Sequence, residues 1–326
     1  MFKIGNIQIG HYPLLLAPME DVTDPVFRYF CKKYGADIMY TEFVSSDGLT
    51  HNNKKTEKKL ELFDSERPVG IQIYGHIPEA MVNAAKIVEQ SKPDIIDINF
   101  GCPVKKIARR GAGCGMMKNI PLMLQITSEV VKAVNTPVTV KTRLSWDDST
   151  TKIDEIAEQL QDTGIKALTI HGRTGAQLYK GEADWELIGK VKNNLRIKIP
   201  VIGNGDVISG ETAFDKIKKY DIDAIMIGRA TIGRPWIFKE IRTFLETGRS
   251  YYFSLNEKID HIIEHLNKSI EYRGERIGIL LLRRHLAQYF KSLPDFREYK
   301  IKLLTSDSPQ EIVDLLEQIR VIYKNY

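Results

Sequence analysis

The 326-residue chain carries 47 Lys and Arg against 42 Asp and Glu, a formal charge of +5, with 43% hydrophobic and 27% charged residues. Those proportions belong to a folded globular protein and exclude a disordered or low-complexity chain, and its longest apolar runs, such as 14–17, fall far short of the ~20 residues a bilayer-crossing helix needs. Three cysteines (Cys31, Cys102, Cys114) without metal-ligand spacing argue against a disulfide framework or a structural metal site. With no secretory pattern in residues 1–6, the expectation is a cytoplasmic monomer with no membrane or metal partner. The mild positive charge permits a polyanionic partner without demanding one.

Taken in chain order, eight apolar, β-rich runs occur at 14–19, 38–43, 69–75, 95–100, 138–143, 167–173, 200–206 and 224–229. Their spacing of roughly 25–40 residues is that of a strand-helix unit. The near-continuous hydrophobicity suits parallel strands covered on both faces. Between them, residues 78–90 place Ala80, Met81, Ala84, Ala85, Ile87 and Val88 at helical spacing, with Glu79 in the first turn. Residues 154–162 repeat the pattern with Ile156, Ala157 and Leu160 and stop near Gly164. The pattern predicts an α/β fold, a TIM (β/α)8 barrel over residues 1–244. A doubly wound sheet competes, but it would gather its polar residues at one switch point; here nearly every run ends in polar or glycine residues.

Residues 245–250 read as a linker, and 251–326 as a small α-helical bundle with helical segments at 259–266, 278–290 and 310–323. The tail holds Arg273, Arg276, Arg283, Arg284, His285, Lys291, Arg297, Lys300 and Lys302 among many acids. Solvated helix faces and a grip on phosphates are both readings of that mixture.

The chain is organised around residues 97–115. The fourth strand ends there, and Gly101 and Pro103 turn the chain. Cys102 therefore sits where strand hands over to loop, with Asn99 three residues before it and Lys105, Lys106, Arg109 and Arg110 behind. A lone cysteine on an apolar strand is commonly a small buried hydrophobe; its place on a strand-end turn points to chemistry instead. Barrel active sites are lined by polar residues at the strand C-termini. Collecting those residues gives Met19, Glu42, Gln72, Asn99, Lys141 with Arg143, His171 with Arg173, Asn204 with Asp206, and Gly228 with Arg229. The glycines at 203, 205 and 228, after the seventh and eighth strands, occupy the usual phosphate position of such barrels, and Arg229 can fork onto its oxygens. Lys141 has two roles open to it, an imine with a carbonyl substrate or a cation facing a bound anionic ring. The Gln72 amide, both donor and acceptor, suits the edge of a heteroaromatic ring.

The segments 16–28 (Leu-Ala-Pro-Met-Glu-Asp-Val-Thr-Asp-Pro-Val-Phe-Arg), 99–103 (Asn-Phe-Gly-Cys-Pro), 141–143, 171–174, 204–206 and 228–230, together with 282–285 in the tail, resemble the tRNA-dihydrouridine synthases, most closely the bacterial B-type branch. The resemblance implies an oxidoreductase using FMN, reduced by NADPH or NADH, that saturates the C5–C6 bond of uridine in RNA, with the tRNA D-loop as the expected substrate. It implies that Cys102 gives a proton to C5 and that Pro18, Met19, Glu20, Gln72, Lys141, His171, Asn204, Gly205, Asp206, Gly228 and Arg229 hold FMN. Asn99, Lys105, Lys106, Arg143, Arg173, Arg283 and Arg284 would meet the RNA. A thiol serves as an acid only while protonated, so Lys105 and Lys106 are expected to turn away from Cys102. Two departures stand out. Glu20 replaces a small residue, to narrow the pocket or to pair with a cation, and Cys114 stands where a Ser is common. Ribosomal RNA, or a free pyrimidine as in other FMN barrels, are the alternative substrates.

Overall fold

The structure, a computed structural model, describes residues 2–51, 53–290 and 293–324; Lys291 of the tail lies outside them. Eight strands form the barrel: Leu14–Leu16, Met39–Tyr40, Val69–Tyr74, Ile95–Phe100, Val138–Arg143, Leu168–His171, Val201–Asn204 and Ala224–Ile227. All pairings are parallel, the eighth strand lies against the first, and a bridge from Leu15 to Ile38 brings the first against the second. The second run is not one strand. The Thr41 hydroxyl donates to the Glu42 carbonyl, the chain leaves the ladder, and it returns as Val44–Ser45 beside the third strand.

Side-chain alternation sorts the strands into two apolar layers. In the fourth strand Ile96, Ile98 and Phe100 face the surrounding helices and join the large outer core. Ile95 points inward, into a cluster with Leu15, Ile38, Ala167, Ile202 and Ala224 near the strand N-termini. A hairpin that the sequence reading did not anticipate, Phe2–Ile4 with Ile7–Ile9, plugs this end through Phe2 and Ile4. Gly5 makes its turn at φ 55, a conformation open to glycine. The bottom of the barrel is thus apolar and filled, which leaves the top for polar groups.

The last barrel helix, Ile237–Thr247, runs three residues into the expected linker before Gly248 ends it at φ 68. The tail helices are Leu255–Arg273, Glu275–Tyr289, Arg297–Thr305 and Pro309–Ile322. The third was not expected, because Leu303 is its one buried residue and so its apolar pattern is faint. Ser254 starts the first in a capping box with Glu257. Trp236, from the barrel side, belongs to the tail's core with Ile259, Leu286 and Tyr289, and stacks on Phe253 at 4.4 Å. Across this seam Phe27 stacks on His285 at 4.4 Å, and His261 and His265 share the Tyr289 hydroxyl at 2.9 and 2.8 Å. Burial pushes His261 and His285 down to about 3, so both are neutral at pH 7. Barrel and tail meet through a buried aromatic cluster flanked by polar contacts such as Lys33 with Glu264. Among the described residues no helix is long and apolar enough to cross a membrane.

Candidate active site

The strand C-termini open into a cavity of about 700 Å³. Strand register explains its lining: Asn99 pairs with Lys141, Arg143 with His171, and His171 with Asn204, so these side chains share neighbouring levels of the ring. Pro18, Met19, Glu20, Gln72, Asn99, Cys102, Lys141, Arg143, His171, Asn204, Gly205, Asp206, Gly228 and Arg229 all face this one space. Lys105, Lys106, Arg173, Arg283 and Arg284 do not line it.

A buried polar chain fixes the floor. Asp97 accepts from Gln72 Nε2 and from Thr139 Oγ1, both at 2.6 Å. Gln72 Oε1 accepts from Asn99 Nδ2 at 2.7 Å. Asn99 Oδ1 then accepts the backbone N–H groups of Gly101 at 2.9 Å and Cys102 at 2.8 Å. Burial pushes the Asp97 carboxyl up to about 6, with the two donors and Lys141 pulling the other way. Asn99, expected to bind substrate, therefore shapes the turn that carries Cys102, and among the described residues its Nδ2 has one partner, Gln72. Asp97 was missed as a site residue, although its place two residues before Asn99 puts both on the inner face of the strand.

Cys102 is 8% exposed at the cavity wall. Burial raises its thiol above the ordinary range; Arg143 and Lys141 lower it by less. Lys105 and Lys106 open a short helix, Lys105–Ala108, and stand exposed outside the cavity. Cys114 is fully buried and its thiol is pushed up to about 12 by burial, the behaviour of a packing residue.

Positive charge gathers from the fifth strand, beside the Cys102 turn, round to the eighth. Lys141 Nζ lies 3.2 Å from Asn204 Oδ1 and is pushed down to about 8, first by burial and then by Arg143. Burial holds His171 well below its usual value, and Lys141, Arg143, Arg173 and Arg229 all add to that, so the imidazole is neutral. Asp206 accepts from Arg173 at 2.7 Å and Arg229 at 3.2 Å. These donations and the Ala183 N–H outweigh burial and keep its carboxyl below the usual range. Four cations around one neutral histidine, with Asp206 bonded to two of them, make a field suited to an anion. Gly205, at φ 129, keeps the wall low; a side chain there would come within 2.7 Å of Ala183.

The arginines expected beside the substrate are engaged by the protein itself. Arg143, 1% exposed, donates to the carbonyls of Gly101, Thr174 and Leu178, each at 2.8 Å. Arg173 donates to the carbonyls of Lys180 at 3.2 Å and Gly181 at 2.6 Å besides Asp206. Together they brace loop 174–181 against the Cys102 turn. At that loop's outer edge Tyr179, 53% exposed, lies against the guanidinium groups of Arg143 and Arg229, with ring centroid distances of 5.5 and 4.8 Å. Tyr179 and Phe43 line the cavity and were both missed; a lone aromatic in a polar loop was the only available sign of Tyr179.

At the rim Glu20 pairs with Lys59 and also lines the cavity. Asp21 and Glu42 crowd within 4.8 Å of Glu20, and burial, then Glu20, raise the Glu42 carboxyl despite Lys59. Arg284 reaches across from the tail to the Asp21 carbonyl at 2.5 Å and the Glu20 carbonyl at 3.3 Å. It thus fastens the tail to the rim, while Arg283 pairs with Asp307 at 2.5 Å within the tail.

The chain matches the family model described as dihydrouridine synthase (Dus) over residues 15–324. It belongs to the dihydrouridine synthase family. The "Probable tRNA-dihydrouridine synthase" of Rickettsia conorii is 37% identical over 302 residues, which span 92% of this chain and 90% of the relative. The tRNA-dihydrouridine synthase B of Pseudomonas aeruginosa is 38% identical over 299 residues, 90% of each chain. Among solved structures, histamine dehydrogenase from Rhizobium sp. 4-9 superposes with a TM-score of 0.54 at 14% identity, covering 86% of this chain and 50% of that one. That likeness concerns the fold.

Proposed function

We propose that this dihydrouridine synthase reduces the C5–C6 double bond of uridine in the tRNA D-loop, using FMN reduced by NADPH or NADH. The observation that carries the reading is the pairing, in one cavity, of the buried Cys102 thiol with three lining cations, Lys141, Arg143 and Arg229.

The residues fit a flavin nucleotide. A phosphate suits Arg229 beside the bare walls of Gly205 and Gly228, where the positive field exceeds what Asp206 answers. Lys141, pushed down to about 8 by burial and so still mostly charged at pH 7, is held in its charged form beside a negatively charged ring. Gln72 and Asn204 offer amide groups to a ring edge, His171 a neutral imidazole, and Pro18 and Met19 an apolar wall. When bound, FMN supplies the hydride that adds to C6 of the uracil ring.

The chain's own residues complete the reaction. Cys102 holds a proton at Sγ and delivers it to C5, so that one hydride and one proton saturate the bond. Reduction of one uridine thus consumes one NAD(P)H and one proton. A thiolate has no proton to give, and the raised pKa keeps Cys102 in the acid form. Asn99 keeps Sγ aimed by pinning the turn, and its remaining Nδ2–H is placed to meet a carbonyl oxygen of the base. Arg143 and Arg173 act by holding loop 174–181 and the Cys102 turn together. A nucleobase reaches so recessed a site only by leaving its stack. Exposed Lys105, Lys106, Arg109 and Arg110 outside the mouth meet RNA phosphates, and the tail, residues 251–326, orients the RNA.

Purified flavin-loaded protein incubated with NADPH and an unmodified tRNA transcript should add two hydrogens to defined D-loop uridines, read by mass spectrometry of nuclease digests. Reduction of free uridine or uracil with no action on the transcript would replace this reading by a metabolite dehydrogenase.

A further inference from the structure

A second cavity, about 900 Å³, lies in the seam between the loops that follow the seventh and eighth strands and the start of the tail. Ile208, Arg229, Ala230 and Ile232 line both cavities, so the two adjoin along the phosphate side of the central one. Its walls combine three kinds of group. Arg234 and half-buried Lys258 supply positive charge, and burial, then Arg234, lower the Lys258 pKa against the pull of Glu240. Tyr251 and Tyr252 supply aromatic surface, Tyr252 being 84% exposed. Glu240, buried and ion-paired with Arg234 at 2.5 Å, supplies an acceptor in the depth of the seam.

Aromatic surface, cations and a recessed carboxylate together describe the needs of a nucleoside phosphate: a face for the base, charge for the phosphates, an acceptor for ribose hydroxyls. A strand of RNA shares the first two needs. It is less suited to a wall that also carries Glu211 and Glu240, because every nucleotide brings a further negative charge. We propose that the seam cavity holds the adenosine-phosphate half of the nicotinamide dinucleotide, with Lys258 on a phosphate and Tyr252 beside the adenine. The proposal rests on the reading above that NADPH or NADH reduces the flavin. That ring must enter the central cavity while the rest of the dinucleotide stays outside it, and the seam adjoins on the side away from Cys102 and the exposed lysines.

The test uses full-length, flavin-loaded protein and the variants Tyr252→Ala, Lys258→Ala and Lys258→Arg. Tyr252 is so exposed that its removal leaves the fold intact. Binding of NADP+ and, in parallel, NAD+ is measured by calorimetry, tRNA binding by filter retention, and uridine reduction after chemical reduction of the flavin with dithionite. Losing a charge-assisted contact or a stacked base is expected to weaken dinucleotide binding roughly 10-fold in each Ala variant. Lys258→Arg restores most of it, and tRNA affinity and the dithionite-driven reaction stay at wild-type values. Unchanged dinucleotide affinity in both Ala variants overturns the placement, and so does an equal loss of tRNA affinity, which assigns the seam to RNA. If neither NADPH nor NADH reduces the wild-type flavin while dithionite does, the reading of the reductant fails, and this proposal with it.

Discussion

Replacing Asn99 with Ala separates architecture from chemistry. Its Oδ1 accepts two backbone N–H groups, from Gly101 and Cys102, and its Nδ2 donates to the buried Gln72 Oε1. Removing the amide leaves the buried Cys102 N–H and Gln72 Oε1 without these partners, while the half-buried Gly101 N–H can turn to water. Stranding a buried polar group costs about 1–3 kcal/mol, so two of them predict a loss of about 3 kcal/mol. The midpoint of urea unfolding should fall accordingly. Function should fall unevenly. Lys141, Asn204 and Arg229 keep their contacts and Gln72 alone of the flavin-facing groups loses a partner, so flavin reduction by NADPH in stopped flow should fall far less than uridine reduction. Uridine reduction should drop at least 10-fold, because Sγ is no longer aimed and general acid catalysis depends on that aim. Unchanged stability together with full uridine turnover would refute the account of the floor network.

Three other outcomes follow from the same geometry. Burial raises the Cys102 thiol, so uridine reduction should stay flat through the ordinary thiol pKa of ~8.5 and decline only at higher pH, as the acid form is lost; a decline between pH 7 and 8 in a pH-rate profile would contradict this. Burial pushes Lys141 down to about 8, and an anion binds its charged form, so FMN affinity in a fluorescence titration should weaken as pH rises through 8 and stay level below it. In Lys141→Met that step should vanish. Arg28 makes a buried two-point contact with Glu66 at 2.6 and 2.9 Å and donates to the Thr23 carbonyl at 2.8 Å. Arg28→Ala leaves the buried Glu66 carboxylate without its cation, keeping the Phe63 N–H at 3.0 Å, with an expected loss of about 3–5 kcal/mol in denaturant unfolding.

Much of the barrel was legible because parallel strands are apolar on both faces and write continuous runs such as Ile95–Phe100 into the sequence. Polar residues at the ends of such runs fall on one rim, which is why Gln72, Lys141, His171 and Asn204 can be gathered from the sequence alone. Short elements left too little pattern: the three-residue strands of the N-terminal hairpin, and the helix Arg297–Thr305 with its one buried residue. Side-chain commitments were not legible either. Arg143 and Arg173 look like free cations in sequence, yet their partners are carbonyls of a loop whose path is set by tertiary folding. Arg284 finds Asp21 263 residues away. Trp236 precedes the expected linker but packs in the tail's core, so deleting the tail would strip apolar cover from the barrel as well as remove RNA contacts.

The most direct measurement is a single-turnover experiment on Cys102→Ala with the flavin already reduced. FMN should stay bound and NADPH should reduce it normally, while transfer to tRNA uridine should slow about 100-fold or more, the scale of a lost general acid. Wild-type transfer rates in that variant would contradict that role for Cys102.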